Sequence, residues 1–129
     1  MRYPVLLIGM SVVVLSVASA RAQDAGDATA GATVFKKCMA CHVADTDKNK
    51  VGPSLFGLFG RTAGTHPGFG YSPAMKAAGA GGLVWDIASL RDYLHDPKAK
   101  VPGTKMAFPG LKDETEITNL EAYLKQYSK

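Results

Sequence analysis

The sequence predicts an all-α fold: three to five helices joined by long loops that close around one bound group rather than around a sheet. Three observations carry that prediction. Apolar residues recur at helical spacing near both ends of the chain, and no stretch alternates apolar and polar as a half-buried strand would. The stretch from Val43 to Gly82 is dominated by glycine, proline and turn formers, as in "KVGPSLFGLFGR" and "THPGFGYSPAM". So long an irregular segment inside a small domain needs something other than secondary structure to order it.

In chain order, the first segment reads as a leader. Met1-Arg2-Tyr3 is a short positive start, "VLLIGMSVVVLSV" from Val5 to Val17 is an apolar run, and Ala20 and Ala22 stand in the A-x-A relation of a cleavage site. The run falls short of the roughly twenty residues a helix needs to span hydrocarbon. Cleavage after Ala22 is therefore expected, leaving residues 23–129 as one exported domain with no stable membrane insertion. Loss of Arg2 and Arg21 leaves 13 basic against 11 acidic residues in the mature chain. With no dense Arg/Lys tract, that balance excludes a nucleic-acid partner, and any electrostatic role rests on where the lysines sit.

A first helix is expected from about Asp27, which can cap it, to Cys41, with Ala30, Gly31, Val34 and Phe35 as its apolar side. "SLRDYLHD" predicts a helix over Ile87–His95, stopped by Pro97, which forces the residue before it out of the helical region. "KAKVPGTKMAFPG" then reads as loop. In the last helix Asp113 and Glu116 form a capping-box pattern, and Ile117, Leu120, Tyr123 and Leu124 make the apolar stripe.

The chain's two cysteines both lie in "KKCMACHVAD", Lys36 to Asp45, with His42 directly behind Cys41. Thiol–disulfide exchange wants such a pair at the start of a helix that follows a strand, where the helix end lowers a thiol pKa; this pair ends a helical stretch. Zinc wants four ligands, and only His66 and His95 remain, in no recognisable ligand pair. Covalent haem attachment fits C-x-x-C-H best. Residues three apart on a helical turn face one side and reach two vinyl groups, and the histidine then projects to the iron. An exported chain with no other cysteine strengthens that reading.

If His42 takes one axial position, the other is open or closed by Met39, Met75, Met106, His66 or His95. A closed iron suits electron transfer; an open one suits ligand binding or oxygen chemistry. Met39 lies within the motif, Met75 reads as apolar filler, and His66 and His95 as loop and helix-end residues. Taken locally Met106 reads as core too. With haem in place, its irregular segment far downstream makes it the best candidate, and a soft thioether raises the reduction potential.

These residues give the chain its likeness to a known family. From "GDATAGATVFKKCMACH" through "VGPSLFGLFGR", "GFGYS", Trp85 and "YLHDPKAKVPGTKMAF" to "LEAYLKQ", it resembles the class I c-type cytochromes, most closely the bacterial periplasmic cytochromes c₂. The resemblance implies the cytochrome c fold and one haem c joined covalently through Cys38 and Cys41. It implies His42 as proximal and Met106 as distal iron ligand, with the Pro53 carbonyl holding the histidine. Arg61, Tyr71 and Trp85 would bind the haem propionates. Tyr93 and Thr104 would tune the methionine side, and Phe108 would cover the haem. Gly31 and Phe35 would meet Leu120 and Tyr123 where the terminal helices cross. The chain departs from the pattern in a longer, Gly/Ala-rich stretch between Tyr71 and Trp85, in Met75 at a usually polar position, and in Ala99 and Lys100 after Pro97.

The function this implies is one-electron carriage in the periplasm, without catalysis, by a monomer. Its partners would be membrane redox complexes with acidic docking surfaces: a cytochrome bc complex, and a reaction centre or terminal oxidase. Lys37, Lys50, Lys98, Lys105 and Lys112 would ring the exposed haem edge and dock it. The alternatives are a dedicated electron acceptor of a periplasmic dehydrogenase, a haem peroxidase, or a ligand-binding cytochrome.

Overall fold

The computed structural model describes residues 25–128. The leader and its cleavage after Ala22 lie outside the described residues. Among the described residues five helices follow in order: α1 (Ala28–Phe35), α2 (Pro73–Ala80), α3 (Ile87–His95), α4 (Pro97–Lys100) and α5 (Glu114–Lys125). No strand occurs among the described residues; one isolated antiparallel bridge joins Thr62 and Val84. None of the described helices is long and apolar enough to cross a membrane.

The fold is built on the crossing of α1 and α5. Gly31 lets the backbones touch: a Cβ there would lie 1.9 Å from the Asn119 carbonyl oxygen and 2.8 Å from the Tyr123 Cβ. Phe35 packs on Tyr123 with ring centroids 5.1 Å apart. The Asp27 N–H donates to Asn119 Oδ1 at 2.8 Å and fixes the register. Ile117, Leu120 and Leu124 are fully buried, as the stripe on the last helix predicts.

The structure corrects the sequence reading at four places. The first helix ends at Phe35, not Cys41. Beyond it the chain winds tighter, with i to i−3 bonds from Lys36 to Thr33, Lys37 to Val34, Cys38 to Phe35 and Cys41 to Cys38. α2 was not expected: Ser72 caps it by accepting from the Met75 N–H at 3.0 Å, and Pro73 takes the first position, where its missing N–H costs nothing. Pro97 does end α3, but it also begins α4, capped by Asp96 accepting from the Ala99 N–H at 3.1 Å. Asp113 caps α5 through the Thr115 and Glu116 N–H groups, yet Glu116 does not complete the box; its carboxylate pairs with Lys37 Nζ at 2.7 Å. The reciprocal box forms on α3 instead, between Asp86 and Ser89.

The Gly/Ala-rich stretch has a steric reason. Gly79 lies against residue 63, where an added Cβ would sit 1.9 Å from the Ala63 carbonyl oxygen. Backbone bonds from Ala63 to Leu83 and from Trp85 to Arg61 then hold the segment after α2 against the loop that precedes it.

Candidate haem-binding site

The irregular middle of the chain and the faces of α3 and α5 enclose a cavity of about 430 Å³, in the size range of cofactor sites. Cys38, Cys41 and His42 line it, delivered by the tight turns after α1. The two thiols are not joined to each other. Burial pushes the Cys38 thiol up to about 11, Lys37 working against it. A thiol so far from ionising is a poor nucleophile for exchange chemistry. Among the described residues no three His, Cys, Asp or Glu side chains gather as a metal group.

His42 Nδ1 stands 2.7 Å from the Pro53 carbonyl oxygen. A carbonyl only accepts, so Nδ1 carries the proton and Nε2 is left with its lone pair in the neutral ring. Burial lowers the pKa of His42, the Pro53 bond opposes that, and Lys50 adds to it; the neutral form, the one able to bind a metal, is favoured. Gly52 is a site residue that the sequence reading missed. A Cβ at Gly52 would come within 2.4 Å of His42 Cε1, so only glycine lets the ring lie where Pro53 holds it. The signal was present as "VGP", but nothing local says which ring the glycine must clear.

Thr104, Lys105, Met106 and Phe108 bring the loop after α4 to the same cavity. Tyr93 Oη and Thr104 Oγ1 are 2.8 Å apart, and the Met106 N–H donates to Thr104 Oγ1 at 3.4 Å. Burial raises the Tyr93 pKa against the pull of that hydrogen bond, so the phenol stays protonated. Of the five candidate closers, Met106 and Met75 reach the cavity and the others do not. Met39 is 52% exposed, His66 is buried with Nε2 on Asp47 Oδ1 at 2.6 Å, and His95 pairs with Glu114.

Arg61, Tyr71 and Trp85 also line the cavity. Arg61 donates to the carbonyls of Ser54, at 2.9 Å, and Phe56. Its pKa is lowered by burial, with Tyr71 opposing, and burial likewise raises the Tyr71 pKa. A half-buried cation with no carboxylate in an ion pair among the described residues is ready for an anionic group to enter beside it. Trp85 stacks obliquely on Tyr93 at 5.1 Å.

The five docking lysines are not alike. Lys37 pairs with Glu116, Lys50 donates to the Met39 carbonyl at 2.6 Å, and Lys112 to the His95 carbonyl at 2.5 Å. Lys98 and Lys105 make no ion pair among the described residues.

A sequence profile described as "Cytochrome c" matches residues 28–128. The chain belongs to the cytochrome c family. It is 50% identical over 124 residues to a cytochrome c₂ of Blastochloris viridis, covering 95% of this chain and 93% of that one. It is 51% identical over 105 residues to a cytochrome c-550 of Nitrobacter winogradskyi, covering 81% and 94%. The solved structure of a cytochrome c₂ from Rhodospirillum centenum superposes with a TM-score of 0.77 at 45% identity, covering 81% of this chain and all of that one. The fold is therefore the class I cytochrome c fold, and the cofactor is haem c bound covalently through Cys38 and Cys41. The cavity fits that group: two unpaired thiols, a histidine with its Nε2 lone pair available, an apolar lining and a half-buried arginine. The protein is a c-type cytochrome electron carrier.

Proposed function

We propose that the domain formed by residues 23–129, freed of its leader, is a soluble periplasmic monomer that shuttles single electrons between membrane redox complexes. In this reading His42 and Met106 would hold the haem iron. The donor is a cytochrome bc complex, and the acceptor a reaction centre or terminal oxidase. Haem c, when bound, supplies a one-electron Fe(III)/Fe(II) couple. The observation that carries the reading is the make-up of the cavity: His42 and Met106 line it, and no Asp or Glu and no second histidine does so among the described residues.

Each residue has a passive part. The Pro53 carbonyl fixes the His42 ring and raises its basicity. Thr104 links Tyr93 to the backbone of Met106, which keeps the thioether segment in place. The apolar lining keeps water out and disfavours added positive charge, which raises the potential. Arg61, Tyr71 and Trp85 offer donors to the propionates, and Phe108 covers one side. If His42 and Met106 both hold the iron in either oxidation state, little would have to move when the electron does. A peroxidase would need an acid–base histidine or carboxylate beside an open iron, and among the described residues no Asp, Glu or second histidine lines the cavity.

Carbon monoxide added to the reduced protein at neutral pH tests the reading. A carrier with Met106 bound resists it; ready binding overturns the carrier in favour of a ligand-binding cytochrome or peroxidase. The lysines, Lys98 and Lys105 foremost, steer the carrier onto acidic partners. The association rate should fall with added salt, and a salt-independent rate removes steering.

A further inference from the structure

The loop that carries Met106 is fastened at its neck by a cluster that plays no part in the cavity. The chain leaves α3 at His95 and returns at Leu111, whose N–H donates to the Leu94 carbonyl at 2.7 Å. Gly110, at φ +102°, brings the returning backbone past the end of α3; a Cβ there would lie 2.1 Å from the His95 carbonyl oxygen. Lys112 Nζ donates to that same oxygen at 2.5 Å. Carbonyls at a helix C-terminus lack helical partners, and here they serve as anchors for the returning segment.

Side chains complete the neck. His95 Nε2 lies 2.5 Å from Glu114 Oε1, and Glu114 Oε2 accepts from Arg91 Nη1 at 2.9 Å. Arg91 also reaches Thr118 at 3.1 Å and Glu121 at 2.5 Å, so Glu114 is tied to α3 at two points and to α5 through its own backbone. Residues 96–110 thus form a compact loop with its ends held together. Within it Val101 is buried, and Thr104 makes a backbone bond to Val101 at 3.0 Å.

We propose that His95 and Glu114 form a clasp that holds this loop shut and so keeps Met106 at the cavity, both acting as positioning residues. The proposal rests on the reading of Met106 as the distal ligand. Glu114 is 62% exposed and His95 34%, so the pair adds little to global stability. Local opening of the loop is a different equilibrium, with few bonds to break, and a contact at the neck counts in full there. On this account Lys112 serves the neck as well as the docking surface.

The test uses the haem-loaded protein. His95→Ala and Glu114→Ala should each raise amide hydrogen exchange across residues 101–110 by about two- to five-fold, with α1 unchanged. The double variant should exceed neither single by much, because the two side chains make one contact. Imidazole binding to the ferric protein, which must wait for Met106 to leave, should quicken by the same factor. Should Glu114→Ala fray the start of α5, His95→Ala alone decides. Exchange that stays unchanged across 101–110, or that rises equally in α1, overturns the clasp. Exchange that responds, with imidazole binding fast and equal in every variant, supports the clasp and removes the ligand reading of Met106.

Discussion

At the residue scale, His42 shows how neighbours prepare a histidine for the role of iron ligand proposed for it. Pro53 holds Nδ1 at 2.7 Å, and Gly52 yields the space that the ring fills. Gly52→Ala should cost about 1–3 kcal/mol, since either the ring or the backbone must shift to admit the methyl. A thermal melt of the haem-loaded protein, with its oxidised spectrum, checks this; an unchanged melting temperature and spectrum would show that the ring does not sit where Pro53 places it. The pair Cys38 and Cys41, His42 and the eight other expected haem-contact residues were legible as a motif and its resemblance, and all line one cavity. Gly52 was not legible, because its reason lies ten residues away in a ring that only the folded loop brings near.

At the element scale, α3 was readable from its Pro97 stop and α5 from its Asp113 cap and apolar stripe, all local signals, and Ile87–His95 appears with the expected bounds. α2 was not, because a Ser-Pro start among so many glycines looks like one more turn. Nor was the burial of Glu121: it lies four residues after Ile117 and three before Leu124, beside the apolar stripe, but a carboxylate there gives no local sign of being enclosed. It is 3% exposed, with Oε2 on Arg91 at 2.5 Å and Oε1 without a partner among the described residues. Burial holds its pKa above the ordinary carboxylate value, Arg91 opposing. The folded chain therefore keeps that proton to higher pH than the unfolded chain. The stability this contributes is present below the ordinary carboxylate value and lost as pH rises through the raised one. Glu121→Gln should consequently melt at least as high as the parent at neutral pH, with the gap closing toward acid. Arg91→Ala should cost about 2 kcal/mol at neutral pH, less than for a fully buried pair because Arg91 is 30% exposed. Melts of the three proteins at two pH values check both. A Glu121→Gln variant that loses stability at neutral pH and recovers it in acid would reverse the sign.

At the scale of the whole molecule, the described residues form two crossing helices, α1 and α5, three further helices, and long loops that have no sheet to lean on. The cavity is what those loops share: segments from 51 to 75 and from 104 to 108 meet Cys38, Cys41 and His42 there. That is why forty residues of turn-forming sequence can be ordered, and why the motif implied a bound group before any fold was visible. Which methionine faces the iron is the central claim, since both Met75 and Met106 reach the cavity. Methyl-labelled methionine in the reduced, haem-loaded protein measures it directly by NMR, because a methyl held over the haem face is displaced strongly upfield. The account predicts one such resonance, kept in Met75→Leu and lost in Met106→Leu. A resonance lost instead in Met75→Leu, or absent from the unaltered protein, would contradict it.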